Sequence, residues 1–272
     1  TWAAMIVAEE LGVAVDQIQI EHADTATTQY ATSSGGSKTV PSDSPAVRAA
    51  AYAVKVQLMR MAAEQLEVDV SDLELRDLTI SSRSDSEKTV EVTALEKLDR
   101  QGLVIGTGYR DPNPEDTVTF PFGAQFCEVE VNTHTGEVRI LHFLGAHDSG
   151  RVLNRLTYDN QVFGGIVMGV GLGMTEERVL DRQTGKMVNA NLHDYKIPTM
   201  KDVAVEHSCV PIDIPDTEFN TTGTKGLGEP ATIPTAAAIA NAVHDAIGIR
   251  VSDSPINPVQ LARLLAEQRK EA

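Results

Sequence analysis

Hydrophobic and polar positions alternate most clearly in the middle of the chain, where they predict a β-hairpin. The alternation runs from Phe120 to Val131 and is most regular over its second half. A turn rich in Asn, Thr and Gly follows, and then a second alternating run from Val138 to Phe143. A period of two is typical of strands with one buried face, and a polar turn between two such runs favours an antiparallel pair. Residues 16–22 alternate in the same way, so a further strand is predicted there.

Four further segments have the composition and endings of helices: residues 1–12, 45–66, 231–248 and 257–265. The first and third end at a glycine, Gly12 and Gly248. Glycine readily takes the left-handed conformation that commonly follows a last helical turn. Helices and strands do not follow each other in a regular strand–helix–strand order. We therefore predict an α+β fold with mixed sheets flanked by helices.

A Gly-rich segment from Gly106 to Pro112 divides this pattern into two lobes. We therefore predict one domain over residues 1–110 and a second over residues 111–272. The chain begins inside a helical run, without the capping residue that usually precedes a helix. We expect the first lobe to be truncated at its N-terminus, and the chain to be part of a larger polypeptide or one piece of a split subunit.

Composition excludes several classes of function. The chain has 272 residues and a formal net charge of −16, which disfavours nucleic acid as a partner and a basic membrane-binding face. No window of the sequence contains the run of about 18 apolar residues that a transmembrane helix needs. The cysteines, Cys127 and Cys209, lack CxxC spacing, which argues against an iron–sulfur or zinc cluster within the chain and against a disulfide scaffold.

The stretch Gly223–Pro230 is the strongest candidate for chemistry. Its glycines let the backbone approach a ligand closely, and Glu229 supplies one carboxylate just before a predicted helix, where backbone N–H groups favour anions. A glycine turn with a capping glutamate and a catalytic loop both fit this pattern. A Walker A phosphate loop does not, because Lys225 precedes the last glycine and no Ser or Thr follows it.

Other polar segments interrupt the apolar pattern. The loop at 32–39, Thr-Ser-Ser-Gly-Gly-Ser-Lys-Thr, is either a solvated linker or a donor-rich cradle for an anion. Gln161 stands at the head of an apolar, Gly-rich helix, and its amide needs partners if it is buried. His147 and Asp148 have the chemistry of an acid–base pair or of a metal site, but no nearby Cys or His completes a tetrahedral set. We interpret His147 as a hydrogen-bonded structural residue and predict no metal ligand in the chain.

The order of these segments resembles the molybdenum hydroxylases, the family of xanthine dehydrogenase and aldehyde oxidoreductase. The resemblance rests on Lys-Gly-Leu-Gly-Glu-Pro at residues 225–230 with the Ala-rich helix after it, on Ser-Gly-Gly-Ser before the long helix, and on the segment that begins at Gln161. It implies that Glu229 is the general base beside the metal. It also implies contacts to the pterin cofactor from Ser34, Gly35, Gly36, Ser37, Lys38, Gln161, Gly226 and Gly228.

The same resemblance places Phe122 over the substrate pocket and Tyr195 at the substrate channel. Strand entry and core packing explain these two residues equally well without a substrate. In the family the pterin dithiolene holds the molybdenum, so no protein ligand to the metal is implied. The implied cofactor is molybdopterin, in the cytosine dinucleotide form for a bacterial enzyme. Iron–sulfur centres and FAD are expected on partner subunits or domains.

The implied reaction is the oxidation of an aldehyde, or of an N-heterocycle, with oxygen derived from water. Expected partners are the remainder of the molybdopterin-binding subunit, an iron–sulfur subunit, an FAD subunit and a small-molecule substrate, and a dimer of such heteromers fits this scheme. Neither nucleic acid nor membrane is expected. A purine, xanthine or nicotinate hydroxylase of the same family and a non-catalytic fragment that holds the cofactor or assists assembly stay open as alternatives. We expect the chain to be inactive without its partners and to act in the cytoplasm, or in the periplasm if the complex is exported.

Overall fold

The computed structural model describes residues 1–113, 115–204 and 206–271, and it divides the chain into two compact units. Unit 1 consists of Thr1–Thr119 and Pro215–Lys225, and unit 2 of Phe120–Ile214 and Gly226–Ala272. The sequence places a boundary near residue 110, whereas unit 1 extends to Thr119 and includes a later segment of the chain. Pro114, Val205 and Ala272, which belong to the predicted second lobe, lie outside the described residues.

Unit 1 contains helices and one small antiparallel sheet. Its helices are α1 (Trp2–Leu11), α2 (Thr39–Leu66) and α3 (Glu96–Gln101), and its strands are β1 (Leu73–Arg76), β2 (Thr79–Ser82) and β3 (Thr89–Glu91), paired in that order. Single turns of 3₁₀ helix form at Val15–Gln17, Gly35–Ser37, Val70–Asp72 and Val92–Ala94. The core of unit 1 joins α2 to the sheet and includes Leu58, Met59, Ala62, Leu73, Ile80 and Leu95.

The end of the first helix agrees with the sequence pattern, whereas the start of the second does not. α1 ends as predicted, because Gly12 takes the left-handed conformation with φ of 66°. α2 begins at Thr39 rather than at Pro45, since Pro41 falls in its first turn, where a missing N–H costs no hydrogen bond. The strand predicted at 16–22 is wrong. A 3₁₀ turn forms at the start of this segment, and among the described residues no strand forms backbone hydrogen bonds with the remainder of it.

Two glycines let a loop lie directly on α2. An ideal Cβ atom at Gly106 would be 2.3 Å from the carbonyl oxygen of Ala50, and one at Gly108 would be 2.1 Å from the carbonyl oxygen of Ala46. Both neighbours are backbone atoms, which cannot swing away as a side chain can. The Gly-rich segment that suggested a boundary between two lobes is therefore packed against α2 within unit 1.

Unit 2 is built around a mixed three-stranded sheet. β4 (Phe122–Val131) pairs antiparallel with β5 (Val138–Asp148), which confirms the predicted hairpin, and β6 (Glu206–Pro211) pairs parallel with β5. The helices are α4 (Arg155–Val170), continued by a π-helical turn at Gly171–Thr175, then α5 (Thr235–Ile247) and α6 (Pro258–Glu271). The predicted α+β class, with mixed sheets flanked by helices, is thus confirmed. The core includes Ile140, Phe143, Val162, Ile166, Ile239 and Val243.

The two faces of β4 have different surroundings. The exposed residues on one face are Phe122, Ala124, Phe126 and Glu128, and the half-buried residues on the other are Gly123, Gln125, Cys127 and Val129. α5 packs against β4, and Cys127 and Val129 contact the core of unit 2. Gln125 is therefore a polar side chain on the face that packs against the helices.

α5 begins later than its sequence suggests. Residues 228–234 form successive turns, and the helix starts at Thr235, directly after Pro234. Its end at Gly248, with φ of 72°, confirms the predicted stop. Across the residues that the structure describes, no helix combines the length and the apolar character needed to cross a membrane.

Candidate functional site

Glu229 lies in the turns that precede α5, with its side chain exposed. The backbone N–H of Ala231 donates to the carbonyl oxygen of Leu227 at 3.1 Å, and that of Thr232 donates to the carbonyl oxygen of Glu229 at 3.0 Å. The predicted cofactor residues in the same loop are the half-buried Gly226 and Gly228. The carboxylate is therefore carried by a hydrogen-bonded turn and is accessible to a ligand.

A buried cluster of polar side chains fixes the chain just before this loop. In unit 1, Oδ1 of Asn220 accepts from the backbone N–H and the hydroxyl of Thr222 at 3.0 and 2.8 Å, and Nδ2 of Asn220 donates to the carbonyl oxygen of Thr224 at 2.7 Å. The hydroxyls of Thr222 and Ser44, which belongs to α2, hydrogen-bond at 2.6 Å. All four residues are buried. Because a buried polar group without a partner costs about 1–3 kcal/mol, the cluster holds this segment to α2.

Gln125 fixes the chain just after Glu229. Its Nε2 donates to the carbonyl oxygen of Ala231 at 2.6 Å, and its Oε1 accepts from the hydroxyl of Thr235 at 2.7 Å. The same Nε2 lies 3.1 Å from Nε2 of His147. Gln125 is not among the site residues that the sequence predicts. The available signal is a polar residue at an inward position of an alternating strand, which must find hydrogen-bond partners when it is buried.

The neighbours of His147 set its protonation state. Gln125 uses one amide hydrogen for Ala231 and has the other for Nε2 of His147, so this ring nitrogen accepts and Nδ1 carries the proton. Burial lowers the pKa of His147, which favours the neutral ring. Nδ1 is buried and has no hydrogen-bond partner in the described part of the chain, and an ideal Cβ atom at Gly123 would lie 2.4 Å from it. His147 is thus a hydrogen-bonded core residue, as its sequence context indicates.

We expect the stability of the chain to fall as the pH drops below about 6.5, the pKa of an unfolded histidine. Burial lowers the pKa of His147, and burial with nearby His142 lowers that of His207. The unfolded chain then binds protons that the folded chain binds only at lower pH. The contribution of these histidines to the free energy of unfolding is therefore fully present above about pH 6.5. Below that pH it declines, by at most about 1.4 kcal/mol per pH unit for His147. Urea denaturation at about pH 7.5 and 5.5 measures this slope. His147→Gln should make it shallower, and an unchanged slope would contradict the role of His147.

Two glycines bring α4 against the turn that carries Glu229. An ideal Cβ atom at Gly165 would lie 2.6 Å from Cβ of Ala231, and one at Gly169 would lie 2.3 Å from Cβ of Thr235. These distances show that both glycines allow close packing of the helix. Gln161 lies one helical turn before Gly165, on the same side of α4.

The amide of Gln161 is accessible. α4 begins at Arg155, so Gln161 lies in its second turn rather than at its head. Its side chain is exposed and makes no hydrogen bond to the residues that the structure describes. An ideal Cβ atom at the neighbouring Gly164 would meet no atom within 4 Å. Both hydrogens and the oxygen of the amide are therefore available to a ligand.

The predicted Ser-Gly cradle lies in unit 1, at the entrance to α2. Gly35–Ser37 forms a 3₁₀ turn that is exposed at both glycines and half-buried at Ser37. Gly36 has φ of 75°, and Ser34 and Lys38 flank the turn. No atom would lie within 4 Å of an ideal Cβ at Gly35 or Gly36, so a ligand can reach the backbone there. The side chain of Lys38, the residue that directly precedes α2, does not cap the helix.

The residues predicted at the substrate pocket have other surroundings. Phe122 is 74% exposed and lies on the face of β4 opposite to Gln125. The hydroxyl of Tyr195 donates to Oε2 of Glu176 at 2.8 Å, and this hydrogen bond raises the pKa of Tyr195. Glu176 follows the π-helical turn and is 15 residues after Gln161, a separation of about 20 Å along the helix axis. The pocket roles of Phe122 and Tyr195 stay predictions.

The two cysteines are poor nucleophiles near neutral pH. Burial raises the pKa of Cys127 and of Cys209 to about 12, so neither supplies a thiolate near neutral pH. Within 1–113, 115–204 and 206–271, no group of three His, Cys, Asp or Glu side chains is arranged to hold a metal ion. The candidate groups described above are one carboxylate, one amide and the backbone of a Gly-rich loop.

Comparison with known proteins finds relatives over nearly the whole chain. A family model described as a molybdopterin cofactor-binding domain matches residues 1–204. The 6-hydroxypseudooxynicotine dehydrogenase complex subunit gamma of Paenarthrobacter nicotinovorans is 34% identical over 274 residues, which cover 96% of this chain and 34% of that protein. The xanthine dehydrogenase molybdenum-binding subunit of Escherichia coli O157:H7 is 33% identical over 267 residues, 95% of this chain and 35% of that one.

A solved structure shares the fold at similar coverage. Reconstituted CO dehydrogenase from Oligotropha carboxidovorans matches with a TM-score of 0.85 and 28% sequence identity, over 100% of this chain and 34% of that one. The chain therefore spans about a third of the length of the relatives that it matches.

Proposed function

This chain belongs to the family of molybdopterin cofactor-binding domains, and from that premise we propose that it supplies the cofactor-holding and proton-accepting part of a molybdenum hydroxylase. The proposed reaction is the oxidation of an aldehyde, or of an electron-poor carbon of an N-heterocycle, with oxygen from water. One observation carries the proposal. The exposed carboxylate of Glu229 lies on a turn that packs against α4, the helix that bears the free amide of Gln161.

The accessible donors of both units fit a pterin cofactor. Gln161 offers an amide in unit 2, and the space beside Gly164 leaves room for a flat ring. In unit 1, the open backbone at Gly35 and Gly36 and the start of α2 offer N–H donors to anionic oxygens. We propose that these groups, with Ser34, Ser37, Lys38, Gly226 and Gly228, hold molybdopterin in its cytosine dinucleotide form.

Glu229 performs the proton transfer in the proposed mechanism. Bound molybdopterin would supply the redox chemistry, as the acceptor of the hydrogen and two electrons that leave the substrate carbon when its C–H bond breaks. A carboxylate oxygen of Glu229 accepts the proton that the water-derived nucleophile loses as its oxygen bonds to the substrate carbon. Gln161 orients the cofactor through its amide, and the turn at 227–232 keeps the carboxylate in reach of the reacting atoms.

The electrons must leave through partners in this scheme. We propose that the working enzyme contains the remainder of the molybdopterin-binding subunit, an iron–sulfur subunit and an FAD subunit, in the cytoplasm. The relatives support this arrangement, since one is named a subunit of a dehydrogenase complex and another a molybdenum-binding subunit. A dimer of such heteromers is compatible with the same scheme.

An N-heterocyclic substrate is the second candidate. The observation that favours it is the similarity, at 34% identity, to a protein named for 6-hydroxypseudooxynicotine. Xanthine is a further member of this class, by the name of the second relative. A non-catalytic fragment that only holds the cofactor is the alternative without chemistry.

Co-purification of this chain with its partner polypeptides tests the proposal. We expect the complex to contain molybdenum and a pterin, measured by elemental analysis and by fluorescence of the oxidised pterin, and to oxidise members of a panel of aldehydes and N-heterocycles. The substrates with the largest kcat/KM decide between the two classes. A complex that contains both components but turns over no member of the panel supports the cofactor-holding fragment, and a complex without molybdenum refutes the proposal.

A further inference from the structure

Gln125 forms two hydrogen bonds to the chain on the C-terminal side of Glu229. Its Nε2 donates to the carbonyl oxygen of Ala231 at 2.6 Å, and its Oε1 accepts from the hydroxyl of Thr235 at 2.7 Å. Ala231 and Thr235 are completely buried. One amide group therefore spans the last turn before α5 and the first residue of that helix.

The contact with Ala231 reaches Glu229 through a single rigid unit. The carbonyl of Ala231 and the N–H of Thr232 belong to the same peptide group, which is planar. Gln125 donates to the oxygen of this peptide group. The N–H of the same peptide group, which is that of Thr232, donates to the carbonyl oxygen of Glu229 at 3.0 Å. The orientation of that plane therefore fixes where the backbone of Glu229 lies.

The amide of Gln125 is itself held in one orientation. A reversed amide would place Oε1 against the carbonyl oxygen of Ala231, where two acceptors would repel each other. The correct orientation directs the second amide hydrogen to Nε2 of His147, 3.1 Å away. Close packing of Gly165 on Ala231 limits movement of the turn from the other side.

We propose that Gln125 is a positioning residue that holds Glu229 for proton transfer. This proposal rests on the proposed function, in which Glu229 is the base. Gln125 is half-buried beneath the turn, so it acts through the backbone and not through the substrate. A displacement of about 1 Å at a reacting group is enough to cost about 100-fold in rate. The hydrogen bonds of Gln125 prevent such a displacement.

Gln125→Met in the assembled, molybdenum-loaded enzyme tests the proposal, since methionine keeps the length of the side chain and removes both hydrogen bonds. We expect kcat per molybdenum to fall by about 10- to 100-fold with KM unchanged. We also expect faster amide hydrogen exchange in peptides that cover residues 226–238, measured by mass spectrometry. Unchanged kcat per molybdenum, with or without a change in exchange, would overturn the proposal.

Two further variants separate positioning from a general loss of structure. Thr235→Val keeps the size of the side chain that packs against Gly169, and it leaves the hydrogen bond from Gln125 to Ala231 in place. Its loss of kcat should therefore be smaller than that of Gln125→Met. Cys127→Ala alters the next inward residue of β4 and should leave kcat per molybdenum and exchange at 226–238 unchanged. A loss in Cys127→Ala equal to that in Gln125→Met would refute the specific role of Gln125. Wild-type turnover of Glu229→Gln would instead refute the proposed function.

Discussion

Replacement of Glu229 by Gln in the assembled enzyme should lower turnover by about 10²–10⁴-fold and leave the molybdenum and pterin content at the wild-type level. Glutamine has nearly the shape of glutamate, but its amide cannot accept the proton of the nucleophile. The side chain is exposed and lies outside the core of unit 2, so the substitution should not disturb the fold. Steady-state kinetics, with elemental and pterin analysis of the same preparations, measures both quantities.

Glu218→Gln provides the matched control. Glu218 is also an exposed glutamate in an irregular segment of the chain, and it belongs to unit 1. The same chemical change there should leave kcat and KM as they are. Turnover of Glu229→Gln within a few-fold of wild type, in preparations that contain the full molybdenum content, would refute the assignment of Glu229 as the base.

Gly165→Ala should destabilise the chain by about 1–3 kcal/mol, although alanine is the better helix former. The added methyl group would lie 2.6 Å from Cβ and 2.8 Å from the carbonyl carbon of Ala231. Ala231 is completely buried and bound by Gln125, so it has nowhere to move. Either α4 or the turn of Glu229 must shift. Chemical denaturation of the purified chain measures the loss.

The adjacent glycine of the same helix gives the control. An ideal Cβ atom at Gly164 meets nothing within 4 Å, so Gly164→Ala should gain up to about 1 kcal/mol from helix propensity alone. The two substitutions are chemically identical and one residue apart, and their opposite signs isolate packing against Ala231. Equal effects of the two substitutions would show that α4 does not depend on this close approach.

The elements that local sequence determines were predictable. The hairpin of β4 and β5 follows from alternation around a polar turn, and the stops at Gly12 and Gly248 follow from the left-handed conformation that glycine adopts. The loop of Glu229 could be singled out for the same reason, because its glycines, carboxylate and following helix are contiguous, and its role as a catalytic loop stays a prediction. The alternation at 16–22 misled, since a strand exists only where another strand pairs with it.

Contacts between distant parts of the chain were not predictable from one sequence. Gln125 and Ala231 are 106 positions apart, and Ser44 and Thr222 are 178 positions apart. Periodicity indicates that Gln125 is polar on an inward face, but it does not identify the partner. The clash that a side chain at Gly123 would make with His147 is equally invisible, because it depends on the register of β4 against β5.

The return of residues 215–225 to unit 1 has a consequence for the order in which the protein is made. Ser44 emerges from the ribosome well before Thr222, and the hydroxyl of Thr222 that pairs with it is synthesised only after 95 residues of unit 2, Phe120–Ile214, have passed. A nascent chain therefore cannot complete unit 1 before most of unit 2 has been translated, although domains generally fold from the N-terminus as they are made. The residue that follows this closing segment by four positions is Glu229. Glu229 is thus synthesised only after residues 215–225, which complete unit 1, have been made. A chain that ends before Pro215 would leave Ser44 in α2 without its hydrogen bonds to Thr222 and Thr224.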